Sequence, residues 1–140
     1  MNGRVFFDTN LLIYLYSSSE PEKRRVVESL YREFSQKATI SFQVINEFIN
    51  VLYKKFKIPT EGVEAAVREL EKRFLITPFD LETQKKALRL KERYGFQYYD
   101  ALIIATAREQ GCRTLYSEDM QHGQKINEDL VILNPFVLDR

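Results

Sequence analysis

Val5-Phe6-Phe7-Asp8-Thr9-Asn10-Leu11-Leu12-Ile13-Tyr14 passes from one apolar run, through a single acid, into a second apolar run. β-Branched and aromatic residues suit a pleated, buried surface, so Val5-Phe6-Phe7 predicts a strand. Asp8 then stands at the strand's carboxyl end, where it can also cap a helix over residues 10–15. Four further runs repeat the pattern: Ala38-Thr39-Ile40, Phe74-Leu75-Ile76, Thr114-Leu115-Tyr116 and Val131-Ile132-Leu133.

Helical patterns separate these runs. Ser19 and Glu22 have the spacing of a capping box for a helix over 20–35. In 43–56, Val44, Ile45, Phe48, Val51, Leu52 and Phe56 fall at helical spacing. Thr60 can cap a helix to residue 73, and Asp80 one to residue 93. Segment 100–110 is nearly all apolar, which predicts a helix buried on most sides. Short strands alternating with helices give a parallel sheet, because each crossover returns the chain to the same direction. The expected fold is α/β: a three-layer sandwich around a central parallel sheet of about five strands, with residues 1–140 forming one domain.

The chain has 140 residues, 44 % apolar and 29 % charged, as in ordinary globular proteins. No apolar run approaches the ~18 residues of a membrane span. An acid interrupts the first apolar run, so no signal peptide is expected. Cys112 is the only cysteine, which excludes an intramolecular disulfide and fits a reducing cytoplasm. The one histidine, His122, cannot build a His-rich zinc site. A net charge of +1 says nothing about partners; a protein that depends on bulk attraction to a polyanion is more often strongly basic, so any positive charge that serves such a partner must be local.

Ligand chemistry in parallel sheets collects at the carboxyl ends of the strands. Asp8 ends the first strand and Asp119 follows the fourth; Asp100 opens the buried helix. Glu47 lies one turn into the helix after the second strand, about 40° outside its apolar stripe. All four can face one crevice. Each also has a structural alternative: Asp8 and Asp100 as helix caps, Glu47 as a solvated flank, Asp119 as a turn residue. Their coincidence on one sheet edge favours a site. Two carboxylates ~4 Å apart repel by ~4 kcal/mol at an effective dielectric of ~20. A divalent cation or a shared proton relieves that repulsion. Oxygen-only donors select Mg²⁺ or Mn²⁺. Such ions activate water and neutralise charge on a phosphodiester. No Ser, Cys or His arrangement offers a rival nucleophile–base pair.

The sequence resembles the PIN-domain nucleases, and within them the VapC-type toxins. The matching stretches are Phe7-Asp8-Thr9-Asn10-Leu11-Leu12-Ile13-Tyr14, Ser41-Phe42-Gln43-Val44-Ile45-Asn46-Glu47-Phe48, Tyr99-Asp100-Ala101-Leu102-Ile103-Ile104-Ala105 and Leu115-Tyr116-Ser117-Glu118-Asp119-Met120. Leu133-Asn134-Pro135-Phe136 is similar to the ending of these toxins. The resemblance implies that the family's acidic quartet falls on Asp8, Glu47, Asp100 and Asp119, as catalytic metal ligands. Glu118 adjoins Asp119, and the end of the strand decides which of the two faces inward. Asn10 and Ser117 match the family's supporting polar residues. The resemblance further implies Mg²⁺- or Mn²⁺-dependent hydrolysis of RNA, homodimerisation, and silencing by a small antitoxin protein.

Other features have ordinary readings. Lys85 and Arg89 share a helix face that suits phosphates, yet Glu82 and Glu92 beside them favour a solvated surface. Lys54, Lys55 and Lys57 are read the same way. Tyr98 and Tyr99 suit packing better than base stacking, and His122 suits a surface loop. Three rivals remain: a receiver-like signalling domain, a non-catalytic RNA-binding PIN domain, and an RNA-processing nuclease without an antitoxin. A receiver needs an acidic pair ending its first strand, where only Asp8 stands, and a phospho-accepting acid ending its third. Phosphatases of the haloacid dehalogenase type need a second acid where Asn10 stands.

Overall fold

The computed structural model describes residues 3–137. Its elements run β1 (Val5–Phe7), α1 (Thr9–Tyr16), α2 (Pro21–Phe34), a 3-10 turn (Ser35–Lys37), β2 (Ala38–Ser41) and α3 (Phe42–Lys54). There follow α4 (Thr60–Arg73), β3 (Leu75–Thr77), α5 (Leu81–Tyr94), α6 (Tyr98–Glu109), β4 (Thr114–Tyr116), β5 (Lys125–Ile126) and β6 (Leu130–Leu133).

The sheet order is β3-β2-β1-β4-β6-β5, parallel except for β5. β1 sits between β2 and β4, with Val5 opposite both Ala38 and Thr114. A central strand is covered on both faces, which is why Val5, Phe6 and Phe7 are all buried. The chain steps from β1 through β2 to β3, then returns across the sheet to β4. Crossovers between parallel strands are almost always right-handed, so reversing direction moves the connecting helices to the other face. Packing agrees: α1 meets α2 and α3, α3 meets α4, and α5 lies along α6. Helix α6 also packs on β2, and residues 101–107 are buried throughout, as that apolar segment requires. Among the described residues no helix is long and apolar enough to cross a membrane.

The reversal leaves a crevice beyond the carboxyl ends of β1 and β4, where open α/β sheets bind ligands. α3 and α6 meet as well. Four chain segments therefore converge on that edge.

Some local expectations are corrected. A sixth strand, β5, pairs antiparallel with β6 through a turn holding Asn127 (φ 57°) and Glu128 (φ 116°). Two residues are too few to show an alternating period. Ser19 and Glu22 form no capping box: α2 starts at Pro21, whose fixed φ suits the first helical position, and the Ser19 hydroxyl meets that of Ser17. Thr60 is the first residue of α4 rather than its cap, and its hydroxyl meets Tyr53. Asp80 does cap α5, in a reciprocal box with Thr83.

Candidate active site

Asp8 follows β1 directly, with extended backbone (φ −77°, ψ 167°), and caps α1. The Thr9 backbone N–H donates to its Oδ1 at 2.7 Å, and the Ser117 hydroxyl donates to its Oδ2 at 2.7 Å. The structural and functional readings of this acid are thus compatible. The carboxyl group is buried, and desolvation raises its pKa from 3.8 to about 6. The bonds from Ser117 and Thr9 oppose that rise, whereas the charges of Glu47 and Asp100 add to it.

Ser41 caps α3 through a 3.2 Å bond from the Val44 N–H, which fixes the helix on the end of β2. Glu47 is half-buried on it. The Thr9 hydroxyl donates to Glu47 Oε1 at 2.7 Å, and Gln43 Nε2 donates to Oε2 at 3.1 Å. The second contact is the familiar i,i+4 pairing on a helix.

Asp100 is not a helix cap. Gln97 holds that position, and Asp100 lies in the first turn of α6. Its carboxylate is half-buried and has no hydrogen-bond partner among the described residues. Burial raises its pKa, followed by the charges of Glu47 and Asp119.

The two acids after β4 diverge. The Glu118 carboxylate accepts hydrogen bonds from Lys23 Nζ and the Tyr14 hydroxyl. Burial opposes ionisation of Glu118, but those bonds prevail and hold its pKa below the ordinary value. Lys23 is held above its own ordinary value, first by that bond. Its Nζ lies 5.1 Å from the Tyr14 ring centroid and 5.2 Å from that of Phe136. Asp119 turns the other way, accepting from Asn10 Nδ2 at 2.9 Å, and its charge reaches Asp100. Asn10 Oδ1 accepts the Glu118 N–H at 3.4 Å, while Ser117 Oγ accepts those of Asp119 and Met120. Asn10 and Ser117 thus tie the loop after β4 to the start of α1.

Asp8, Glu47, Asp100 and Asp119 line one cleft of about 430 Å³, with Thr9, Asn10, Ile13, Tyr14, Val51, Lys55 and Glu118. All four predicted acids come together. Among the described residues, no three His, Cys, Asp or Glu side chains close into a ready-made metal cage. The donor set still suits a hard divalent cation, because every candidate ligand is a carboxylate oxygen and Asp100 has open lone pairs. Protonation of Asp8 or Asp100 is the other way to relieve the mutual repulsion.

Sequence reasoning missed Thr9, Gln43, Tyr14 and Lys23. Thr9 and Gln43 had readable signals, a hydroxyl between Asp8 and Asn10 and an amide four residues before Glu47. Lys23 had none, since only the tertiary fold brings α2 to Glu118. Away from the cleft, Lys85 pairs with Glu82 and Lys86 with Glu109, the expected solvated surface. The Tyr98 and Tyr99 rings lie 5.6 Å apart, with Tyr99 exposed. His122 Nδ1 accepts the Asn134 N–H, and Cys112 is buried.

The chain is similar in fold to several solved structures. It matches a toxin–antitoxin complex from Klebsiella pneumoniae with a TM-score of 0.72 and 22 % identity, covering 96 % of this chain and 99 % of that one. DNA-bound VapBC from Salmonella typhimurium gives 0.70 and 18 %, covering 93 % and 96 %. A VapC toxin of Mycobacterium tuberculosis that cleaves the sarcin–ricin loop gives 0.66 and 16 %, covering 79 % and 86 %. Among curated proteins, none matches by sequence. The PIN domain family model matches residues 5–125, which include Asp8, Glu47, Asp100 and Asp119, and the chain therefore belongs to the PIN domain family.

Proposed function

We propose that residues 1–140 act as one nuclease domain that hydrolyses RNA phosphodiesters with the aid of Mg²⁺, or Mn²⁺ in its place. One observation carries the proposal: acids from four separate segments line a single cleft at the carboxyl edge of the sheet. Asp8, Glu47, Asp100 and Asp119 would hold the cation. A bound divalent ion supplies water activation and charge neutralisation at the phosphodiester.

The protein's own groups prepare that site. Thr9 and Gln43 fix both oxygens of Glu47, and Ser117 and the Thr9 N–H fix both of Asp8. Asn10 aims Asp119. Such supporting bonds orient ligands and are costly to lose. Asp100, without a hydrogen-bond partner among the described residues, is free to meet cation or substrate. Glu118 belongs to the Lys23–Tyr14 cluster and steadies the loop that carries Asp119.

We further propose that the protein is a cytoplasmic, homodimeric toxin silenced by a small antitoxin. Solved toxin–antitoxin complexes of the same fold support that role. Purified protein should cleave RNA in Mg²⁺ or Mn²⁺, lose activity in EDTA and regain little with Zn²⁺, because no imidazole or thiolate favours zinc. Full activity in EDTA after dialysis would overturn the metal assignment. Co-expression with the product of the neighbouring upstream reading frame tests the partner. If none co-purifies and the active chain is harmless in cells, a housekeeping RNA-processing role replaces the toxin role.

A further inference from the structure

We propose that Lys55 is a substrate-positioning residue that grips an RNA phosphate upstream or downstream of the scissile one and so sets the strand's path through the cleft; this rests on the ribonuclease function proposed above. Glu47 and Val51 on α3 and Lys55 at its C-cap, which keeps helical backbone, all line the cleft and are spaced four residues apart. That spacing puts them in one row along the helix, with an acid at one end, an apolar residue between and a cation at the other. Eight residues span ~12 Å. A lysine at that distance from Glu47 meets a different phosphate from the one next to the acids.

Lys55 is also the available cation. Among the described residues it is the only lysine or arginine lining the cleft, it is exposed, and no carboxylate pairs with it. Lys23, near the opposite wall, is engaged by Glu118. Lys55 Nζ lies 5.6 Å from the Phe56 ring centroid, a weak contact that a phosphate can displace. It stands at the carboxyl end of α3, where the helix dipole favours a cation. A polyanion entering a cleft lined by carboxylates needs a positive anchor beyond them, and the net charge of +1 provides no general one. Val51 and Ile13 add apolar wall for ribose and base faces.

The experiment compares wild type, Lys55→Met, Lys55→Arg and Lys54→Met. Lys54→Met is the control, with equal charge loss on a residue outside the cleft lining. Steady-state cleavage of a short RNA in Mg²⁺ is followed across salt concentrations. Lys55→Met is expected to raise KM several-fold, with the loss falling on KM more than on kcat, and to lower the salt slope by about 0.7, the value of one single-strand phosphate contact. Lys55→Arg should restore most of the affinity, and Lys54→Met should resemble wild type. A neutral methylphosphonate placed at successive linkages should weaken wild type at one linkage away from the scissile bond and leave Lys55→Met unaffected there. Equal KM and salt slope in wild type and Lys55→Met would overturn the assignment, as would equal losses in Lys54→Met and Lys55→Met. A wild type that cleaves no RNA instead refutes the ribonuclease function itself.

Discussion

Replacing Asp8 by Asn should stabilise the metal-free protein at neutral pH and destabilise it in acid. The folded pKa of Asp8 is raised from 3.8 to about 6 by burial. Stability from this group is therefore fully present below pH 3.8 and lost as pH rises through about 6. A rise of about two units corresponds to about 3 kcal/mol at pH 7.5. Asn keeps the cap on α1, since its carbonyl can accept the Thr9 N–H as Asp8 Oδ1 does. It loses the acceptor for the Ser117 hydroxyl, a cost of about 1 kcal/mol. The net gain is about 2 kcal/mol at pH 7.5, or a rise of roughly 4–8 °C in melting temperature for a chain of this size. At pH 4 most of the relief has gone, so the variant should fall slightly below wild type. Urea unfolding in EDTA at pH 7.5, 5.5 and 4 measures the difference directly. A variant that is less stable throughout, or a difference that does not change with pH, would refute the burial argument.

Adding Mg²⁺ should reverse the neutral-pH ranking by stabilising wild type through mass action, and calorimetry should show the gain shrinking as pH falls below about 6, where protons begin to compete with the ion for Asp8. Asp8→Asn/Asp100→Asn protein should show no such gain; an equal one would place the ion elsewhere. Lys23→Met should cost no more than about 1 kcal/mol, because the Lys23–Glu118 pair is partly exposed. The Glu118 pKa is lowered in the fold, so its contribution is present above 4.5 and lost as pH falls through the folded value. The stability gap between Lys23→Met and wild type should close over that range, and a gap that persists at low pH would show that Lys23 acts by packing alone.

The strands and the acids were legible for different physical reasons. β1 could be read because a central strand is apolar at every position, and α6 because burial on most sides leaves no polar face. The acids could be placed because a parallel sheet gathers its strand ends on one edge, so Asp8 needed only its position after Phe7, and the pair Glu118-Asp119 its position after Tyr116. β5 was illegible, since two residues carry no period and its partner strand is chosen by a turn. Ser19 misled because it matches a capping pattern that Pro21 makes unnecessary. The choice between Glu118 and Asp119 turned on Lys23 and Tyr14, which lie 95 and 104 residues away in sequence. Nothing local distinguishes two adjacent acids at a strand end.

The central claim is that the acidic cleft cuts RNA with a divalent cation, and Asp100→Asn tests it most directly. Asp100 makes no hydrogen bond within the described residues, so its replacement should leave the fold intact, as circular dichroism and thermal melting can verify. Single-turnover cleavage of RNA at saturating Mg²⁺ should then fall further than the roughly 10–100-fold that loss of a supporting residue costs. A folded Asp100→Asn protein that cleaves RNA at the wild-type rate would contradict the account.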